Sequence, residues 1–421
     1  YGTARAGRQT PDMDSGEPPV VPQRAARPSV PQGAFARLKG YISVAQEGYD
    51  ELVRAIIRPP RAQYSVSDLG PSEFRYGGVD FVRHDISTPN RRGLELRGSL
   101  WCRRSELAQA AGFPTVIFLH GNASCRGEAM TIASLVLSRG AALFSFDFAG
   151  CGQSDGDYIS LGYFEREDVQ DIIAWLRESA GVGPVALWGR SMGASSAVMV
   201  GARDSSVTGL VLDSPFASLE QVAVELVVGG PEGEGRARDG PVKNVPPFLV
   251  KTALRVVASS VWNRAGFDLY KCRPIDAAPA CQMPALVATA LSDTLVRPHH
   301  SKCISAALGG ENTLVNFPGD HNTGRPASFL HAASAFLATV LALSPEEELQ
   351  VPRDAAGHVL PLMQAIAVGR RSRLCAATPA SAKQRGRPAP AAKGRLPRAD
   401  NGSGDGSAAA GSAQDLLINF E

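Results

Sequence analysis

Nowhere in the 421 residues does an apolar run approach the roughly 20 residues that span a bilayer. No basic-then-apolar leader opens the chain. The chain begins with Tyr1 rather than Met, which leaves room for a targeting segment before it. Charge imbalance is also missing: 43 Lys and Arg stand against 41 Asp and Glu, a formal net charge of +2. Nucleic acid is therefore not an expected partner, and the protein as a whole has no strong pull toward an anionic membrane. The seven cysteines, from Cys102 to Cys375, include no Cys-x-x-Cys pair. That pattern argues against a disulfide scaffold or a cysteine zinc site and for a reducing, cytoplasmic setting, with peripheral membrane contact as the alternative.

What is present is enough apolar material, 44% of the residues, for one large core with chain left over. Residues 1–34 are rich in Pro, Arg and small polar residues and lack the bulky side chains that would offset the entropy of ordering, so they read as disordered. From Phe35 the pattern changes. Phe35, Leu38, Ile42, Ala45, Tyr49, Leu52 and Ile56 form one stripe of a helix, stopped by Pro59 and Pro60. The helix either packs on the core or, given Arg37, Lys39, Arg54 and Arg58, lies on a membrane surface.

A βα alternation follows. "TVIFLHG" from Thr115 is a short unbroken apolar run of the kind buried on both faces of a parallel sheet. "ALFSFDFAG", "PVALWG", "GLVLDS", "PALVATA" and "TLVNFPG" repeat it, with helical patterns such as Val169, Ile172, Ile173 and Leu176 between them. Upstream, "DFVRHDISTP" and "LELRGSLWCR" flank "NRRG" and read as an antiparallel hairpin at the sheet edge. The fold class is α/β, a mostly parallel central sheet with helices on both faces, over residues 35–345. Residues 217–280 break the rhythm and read as an insertion, either a small helical lid or a surface embellishment. Residues 346–421 read as a flexible tail, and no acidic residue stands between Gly369 and Arg398.

In such a sheet the substrate binds at the carboxyl ends of the strands. "LWGRSMGAS" sets Ser191 between Gly189 and Gly193, after a strand and before a small-residue helix. The glycines allow the sharp turn that exposes a nucleophilic hydroxyl, and the N–H of Met192 then faces a developing oxyanion. The loop "LHGNAS" offers the N–H of Asn122 as a second donor, with His120 and Asn122 as turn-stabilising residues in the plainer reading. A serine needs a base, and the base an orienting carboxylate. Asp293 follows "PALVATA" and His321 follows "TLVNF", so the chain order is Ser191, Asp293, His321. Asp213 competes with Asp293 for the role of acid. His299 and His300, at a helix start after Pro298, are expected to face solvent or substrate, and Asp320 to serve a turn. The glycines of "DFAGCGQSDG" lack the third glycine and the later acid of a dinucleotide site and read as a turn. No metal or organic cofactor is required.

These segments together, from "AIIRPPRAQY" through "FLHGNASCRGEA", "FDFAGCGQSDGDYISLGYFEREDV" and "LWGRSMGASS" to "VLDSPFASL", "VRPHH" and "GDHNTGRP", resemble the α/β-hydrolases, and within them a eukaryotic serine-aminopeptidase-like group. The resemblance implies Ser191, Asp293 and His321 as the triad and Met192 and Asn122 as oxyanion positions. It also implies acyl transfer on an ester, a thioester or an acylated protein, since the aminopeptidase label is inherited from fold. A serine peptidase, or a non-catalytic scaffold that binds partners through its tails, are the alternatives. The final residues, Leu417 to Glu421, fit the pattern of a clathrin-box peptide, with an incidental amphipathic end as the plainer reading.

Overall fold

The computed structural model describes residues 49–51, 53–108, 112–228 and 247–376. Contacts divide the chain into residues 1–51 and 52–421. Of the first unit, residues 49–51 are described, and they are helical. The stripe from Phe35 therefore lies largely outside the described residues, as do residues 1–34 and the peptide from Leu417 to Glu421.

The second unit is built on nine strands: β1 (Glu73–Tyr76), β2 (Val79–Pro89), β3 (Glu95–Arg103), β4 (Phe113–Leu119), β5 (Ala142–Phe146), β6 (Val182–Arg190), β7 (Val207–Asp213), β8 (Ala285–Ala290) and β9 (Asn312–Phe317). They form one sheet in the order β1-β2-β3-β5-β4-β6-β7-β8-β9. The hairpin appears where "NRRG" marks it, with Pro89 opposite Glu95. Pairing is antiparallel from β1 to β5 and parallel from β5 to β9. The six apolar runs of the sequence are β4 to β9. β1, a four-residue edge strand, is too short to carry a periodic signal.

Side chains alternate across a strand, so an all-apolar strand feeds two cores. Ile117 and Leu119 enter one cluster with Val169 and Ile172 of α2 (Glu165–Ser179) and Val198 of α3 (Met192–Gly201). Val116 and Phe118 enter the other with Ile132 of α1 (Met130–Ser138) and Phe329 of a C-terminal helix, Ala327–Val340. Every residue of α3 is buried, which its Gly, Ala and Ser content permits by letting the helix lie close against the sheet.

Between β7 and β8 stand α4 (Leu219–Val228) and α5 (Pro247–Ala265), joined by residues outside the described set. After β8 come α6 (Pro298–Ala307), then α7 (Ala327–Val340) after β9. The expected tail begins too early. A ninth-strand-to-tail segment is folded through α8 (Leu362–Ala376), whose Leu362, Ala365 and Ile366 are buried in the second cluster. Leu349 N–H donates to the Ser138 carbonyl at 2.7 Å, and Ser134 Oγ donates to the Leu360 carbonyl at 2.6 Å. Residues 349–366 thus cover α1. Pro352 and Pro361 break the periodicity that would have marked them as ordered.

Candidate active site

β6 ends by delivering Ser191 into a turn with φ +52° and ψ −112°, a backbone state that a residue with a Cβ rarely adopts. The glycines explain how the turn closes. A Cβ on Gly193 would lie 2.1 Å from the Leu119 carbonyl oxygen, and one on Gly189 would lie 2.4 Å from Ala194 N. The Ser191 N–H is held by the Asp213 carbonyl at 2.8 Å, so the strained residue is fastened to the neighbouring strand.

Ser191 and the two residues that the chain order pairs with it come together. His321 Nε2 lies 3.1 Å from Ser191 Oγ, and His321 Nδ1 lies 2.6 Å from Asp293 Oδ2. The other carboxylate oxygen of Asp293 accepts the N–H groups of Leu295 at 3.0 Å and Val296 at 2.8 Å. All three side chains are buried, Ser191 at 8%, Asp293 at 3% and His321 at 7% exposure. The two N–H bonds hold the carboxylate so that its free oxygen faces the imidazole. With Nδ1–H donated there, Nε2 presents a lone pair to the serine hydroxyl.

The loop after β4 runs beside the serine, where a Cβ on Gly121 would stand 3.9 Å from Ser191 Cβ. Ala123 has φ +56°, which turns this loop sharply after Asn122. Neither Asn122 N–H nor Met192 N–H donates a hydrogen bond to another described residue, so both are available to an oxyanion. His120 takes the plainer role: fully buried, it bonds the Gly121 carbonyl through Nδ1 at 2.7 Å, and its Nε2 accepts Phe148 N–H at 3.2 Å.

Three competing readings settle on geometry. The imidazole Nδ1 bonds Asp293, while Asp213 Oδ2 accepts Arg325 Nε–H at 2.6 Å. Asp320 serves its turn, accepting Asn322 N–H at 2.9 Å and Thr323 N–H at 2.8 Å, and hydrogen bonds led by that from Thr323 hold its carboxyl below the usual range. In "DFAGCGQSDG", Asp147 is buried and accepts Arg126 N–H at 2.7 Å, Gln153 N–H at 2.8 Å and Tyr64 O–H at 2.6 Å. The segment is a turn that also anchors the Asn122 loop.

His300 corrects the expectation of a solvent- or substrate-facing residue, because it is fully buried. Its Nδ1 accepts the Ala217 N–H at 3.2 Å, and its Nε2 lies 3.3 Å from Glu225 Oε2. His299 Nε2 lies 3.1 Å from Glu225 Oε1. Among the described residues this is the one trio of His, Cys, Asp or Glu drawn together closely enough for a metal. The fit is poor. A neutral His300 ring that accepts at Nδ1 carries its proton on Nε2, the atom a metal would need. The trio joins α4 to α6 instead. Burial pushes the Glu225 carboxyl up, but hydrogen bonds from His299 and His300 outweigh it and bring it to about 2.

Comparisons with known proteins agree with this architecture. The profile of the α/β hydrolase fold matches residues 114–245. The chain is 30% identical over 148 residues to the lysophosphatidylserine lipase ABHD12 of Rattus norvegicus, covering 34% of this chain and 36% of that protein. To the lipase of the same name from Xenopus tropicalis it is 29% identical over 120 residues, 27% of this chain and 31% of the other. The match spans about a third of the length of these curated relatives. Among solved structures it is similar to the esterase Pf2001 of Pyrococcus furiosus, at 18% identity and a TM-score of 0.47, covering 68% of this chain and 98% of that one. No described helix is long and apolar enough to cross a membrane. In its sheet order and strand-end loops the chain has the α/β hydrolase fold that this profile describes.

Proposed function

We propose that the protein is a serine hydrolase that cleaves a carboxylic ester or thioester through an acyl-enzyme. One observation carries the reading: the unbroken hydrogen-bonded line from Ser191 Oγ through His321 to Asp293, at 3.1 and 2.6 Å, beneath a strained serine. His321 Nε2 takes the hydroxyl proton as Ser191 Oγ attacks the substrate carbonyl. The carbonyl oxygen becomes an oxyanion between the N–H groups of Asn122 and Met192. Collapse expels the alcohol or thiol, which takes the proton from His321. Water, deprotonated by the same imidazole, then releases the acid and frees Ser191.

The substrate class we infer is an ester with an apolar acyl chain. The loop that carries Asp293 also carries Leu291 and Leu295, 56% and 43% exposed, two apolar side chains within two residues of the carboxylate. Lipases among the relatives point the same way.

Fluorophosphonate labelling tests the reading. The wild type is expected to be labelled, and Ser191→Ala and His321→Ala, folded by circular dichroism, to lose the label. A folded wild type that stays unlabelled would remove the hydrolase reading in favour of the scaffold alternative.

A further inference from the structure

Beneath the serine lies an ion pair that the triad itself does not require. Glu128, in the turn Arg126–Ala129, meets the guanidinium of Arg190, the last residue of β6; the two side chains are 10% and 20% exposed. Glu128 Oε1 accepts from Arg190 Nη1, and Glu128 Oε2 accepts the Gly121 N–H at 3.0 Å. Arg190 Nη2 donates to the His321 carbonyl at 3.1 Å and to Asn322 Oδ1 at 3.2 Å. One continuous path therefore runs from Gly121 N–H through Glu128 and Arg190 to the His321 backbone. It joins the loop of Asn122 to the loop of His321 while bypassing Ser191.

We infer that the Glu128–Arg190 pair is a brace that fixes the oxyanion loop and the histidine loop relative to each other. Both are positioning residues, since neither side chain reaches the reacting atoms. Desolvating two charges is costly, and their attraction repays the cost only when further hydrogen bonds satisfy them. Here those further bonds go to two loops far apart in sequence. Burial pushes the Glu128 carboxyl up, but the Arg190 charge and hydrogen bonds from Arg190, Gly121 and Ser124 outweigh it, so the group stays ionised.

A second arginine supplies a built-in control. Arg325 Nη2 also donates to the His321 carbonyl, at 3.2 Å, and its charge is balanced by Asp213 rather than by Glu128. Loss of Arg325 should loosen the histidine loop alone, whereas loss of the Glu128 charge should loosen both loops.

Only the effect on turnover rests on the hydrolase reading; the coupling of the loops does not. The experiment is hydrogen exchange by mass spectrometry on the full chain, wild type against Glu128→Gln and Arg325→Gln, with p-nitrophenyl ester hydrolysis alongside. In Glu128→Gln, segments 119–125 and 319–324 should both exchange about tenfold faster while β6 and β7 hold. In Arg325→Gln only the second segment should change. The kcat of Glu128→Gln should fall about 10- to 100-fold with KM within about threefold, because small misplacements of a base cost rate rather than binding. Added to His321→Ala, the same change should cost less than it does alone, since the part of its effect that runs through the histidine loop is already lost. Should Glu128→Gln fail to fold, Glu128→Gln/Arg190→Met removes both charges and is read the same way. Faster exchange in segment 119–125 alone, or in neither, overturns the brace. So does an undiminished loss in the His321→Ala background. Coupled exchange in a wild type that fluorophosphonate does not label would keep the brace and sink the hydrolase reading.

Discussion

The two sides of the hydrogen bond between Ser191 and His321 are held in place by different physics. Ser191 is fixed by main chain: a strand end, a helix start, two glycines with no room for a Cβ, and an N–H given to the Asp213 carbonyl. His321 is fixed by side chains: its carbonyl takes donors from Arg190 at 3.1 Å and Arg325 at 3.2 Å, each balanced by a buried carboxylate. Steric fixation tolerates no substitution but is indifferent to charge and salt. Electrostatic fixation is adjustable and can fail by degrees. The serine side should therefore break abruptly and the histidine side gradually.

The largest effect is expected at Gly193. Its added Cβ would sit 2.1 Å from one carbonyl oxygen and 2.8 Å from the next, both backbone atoms that cannot step aside. Gly193→Ala should abolish fluorophosphonate labelling and lower the thermal midpoint sharply, or prevent folding outright. A folded, fully labelled Gly193→Ala protein would show that the elbow is softer than its contacts indicate. Next comes Arg325→Met, which leaves the 3% exposed Asp213 carboxylate without its partner. Breaking such a pair from one side costs about 3–5 kcal/mol, readable as a lower urea midpoint. Labelling should slow but persist. Complete loss of labelling at unchanged stability would make the histidine side as brittle as the serine side and erase the contrast.

The same contrast decides what could be read from the sequence. Ser191, Asp293 and His321 were legible because each follows its own apolar run, and the strand ends of a parallel sheet converge by topology alone. Gly189 and Gly193 were legible because a steric demand on the backbone leaves glycine as its mark. Arg190, Arg325 and Glu128 were not, although Arg190 adjoins the serine. A charged residue in a loop carries no periodicity, and its partner can stand far away in sequence. Asp213 showed how this misleads: a carboxylate at a strand end in the right region, but committed to Arg325. His300 was misplaced for a related reason, since a histidine at a helix start gives no sign that Ala217 N–H and Glu225 will bury it. The folded segment after β9 was hidden by its prolines, and its anchors are single apolar residues in contact with α1.

The smallest effect tests whether the brace works as a charge pair or as a shape. Glu128 has its carboxyl held below its ordinary value of 4.5 by Arg190 and its hydrogen bonds, against the opposing push of burial. A carboxylate with a lower pKa in the folded than in the unfolded chain stabilises the fold above its unfolded value. The contribution fades as pH falls through the folded value. The difference in urea midpoint between wild type and Glu128→Gln should then be constant from about pH 5 to pH 8 and shrink only below about pH 4.5. It should also resist salt, because a pair exposed by 10% and 20% is screened far less than a surface pair. A Glu128→Gln protein as stable as the wild type at every pH would mean that the side chain's shape, and not its charge, holds the two loops. The histidine side would then be steric as well, and Glu128 would be doing with a side chain what Gly193 does with its backbone.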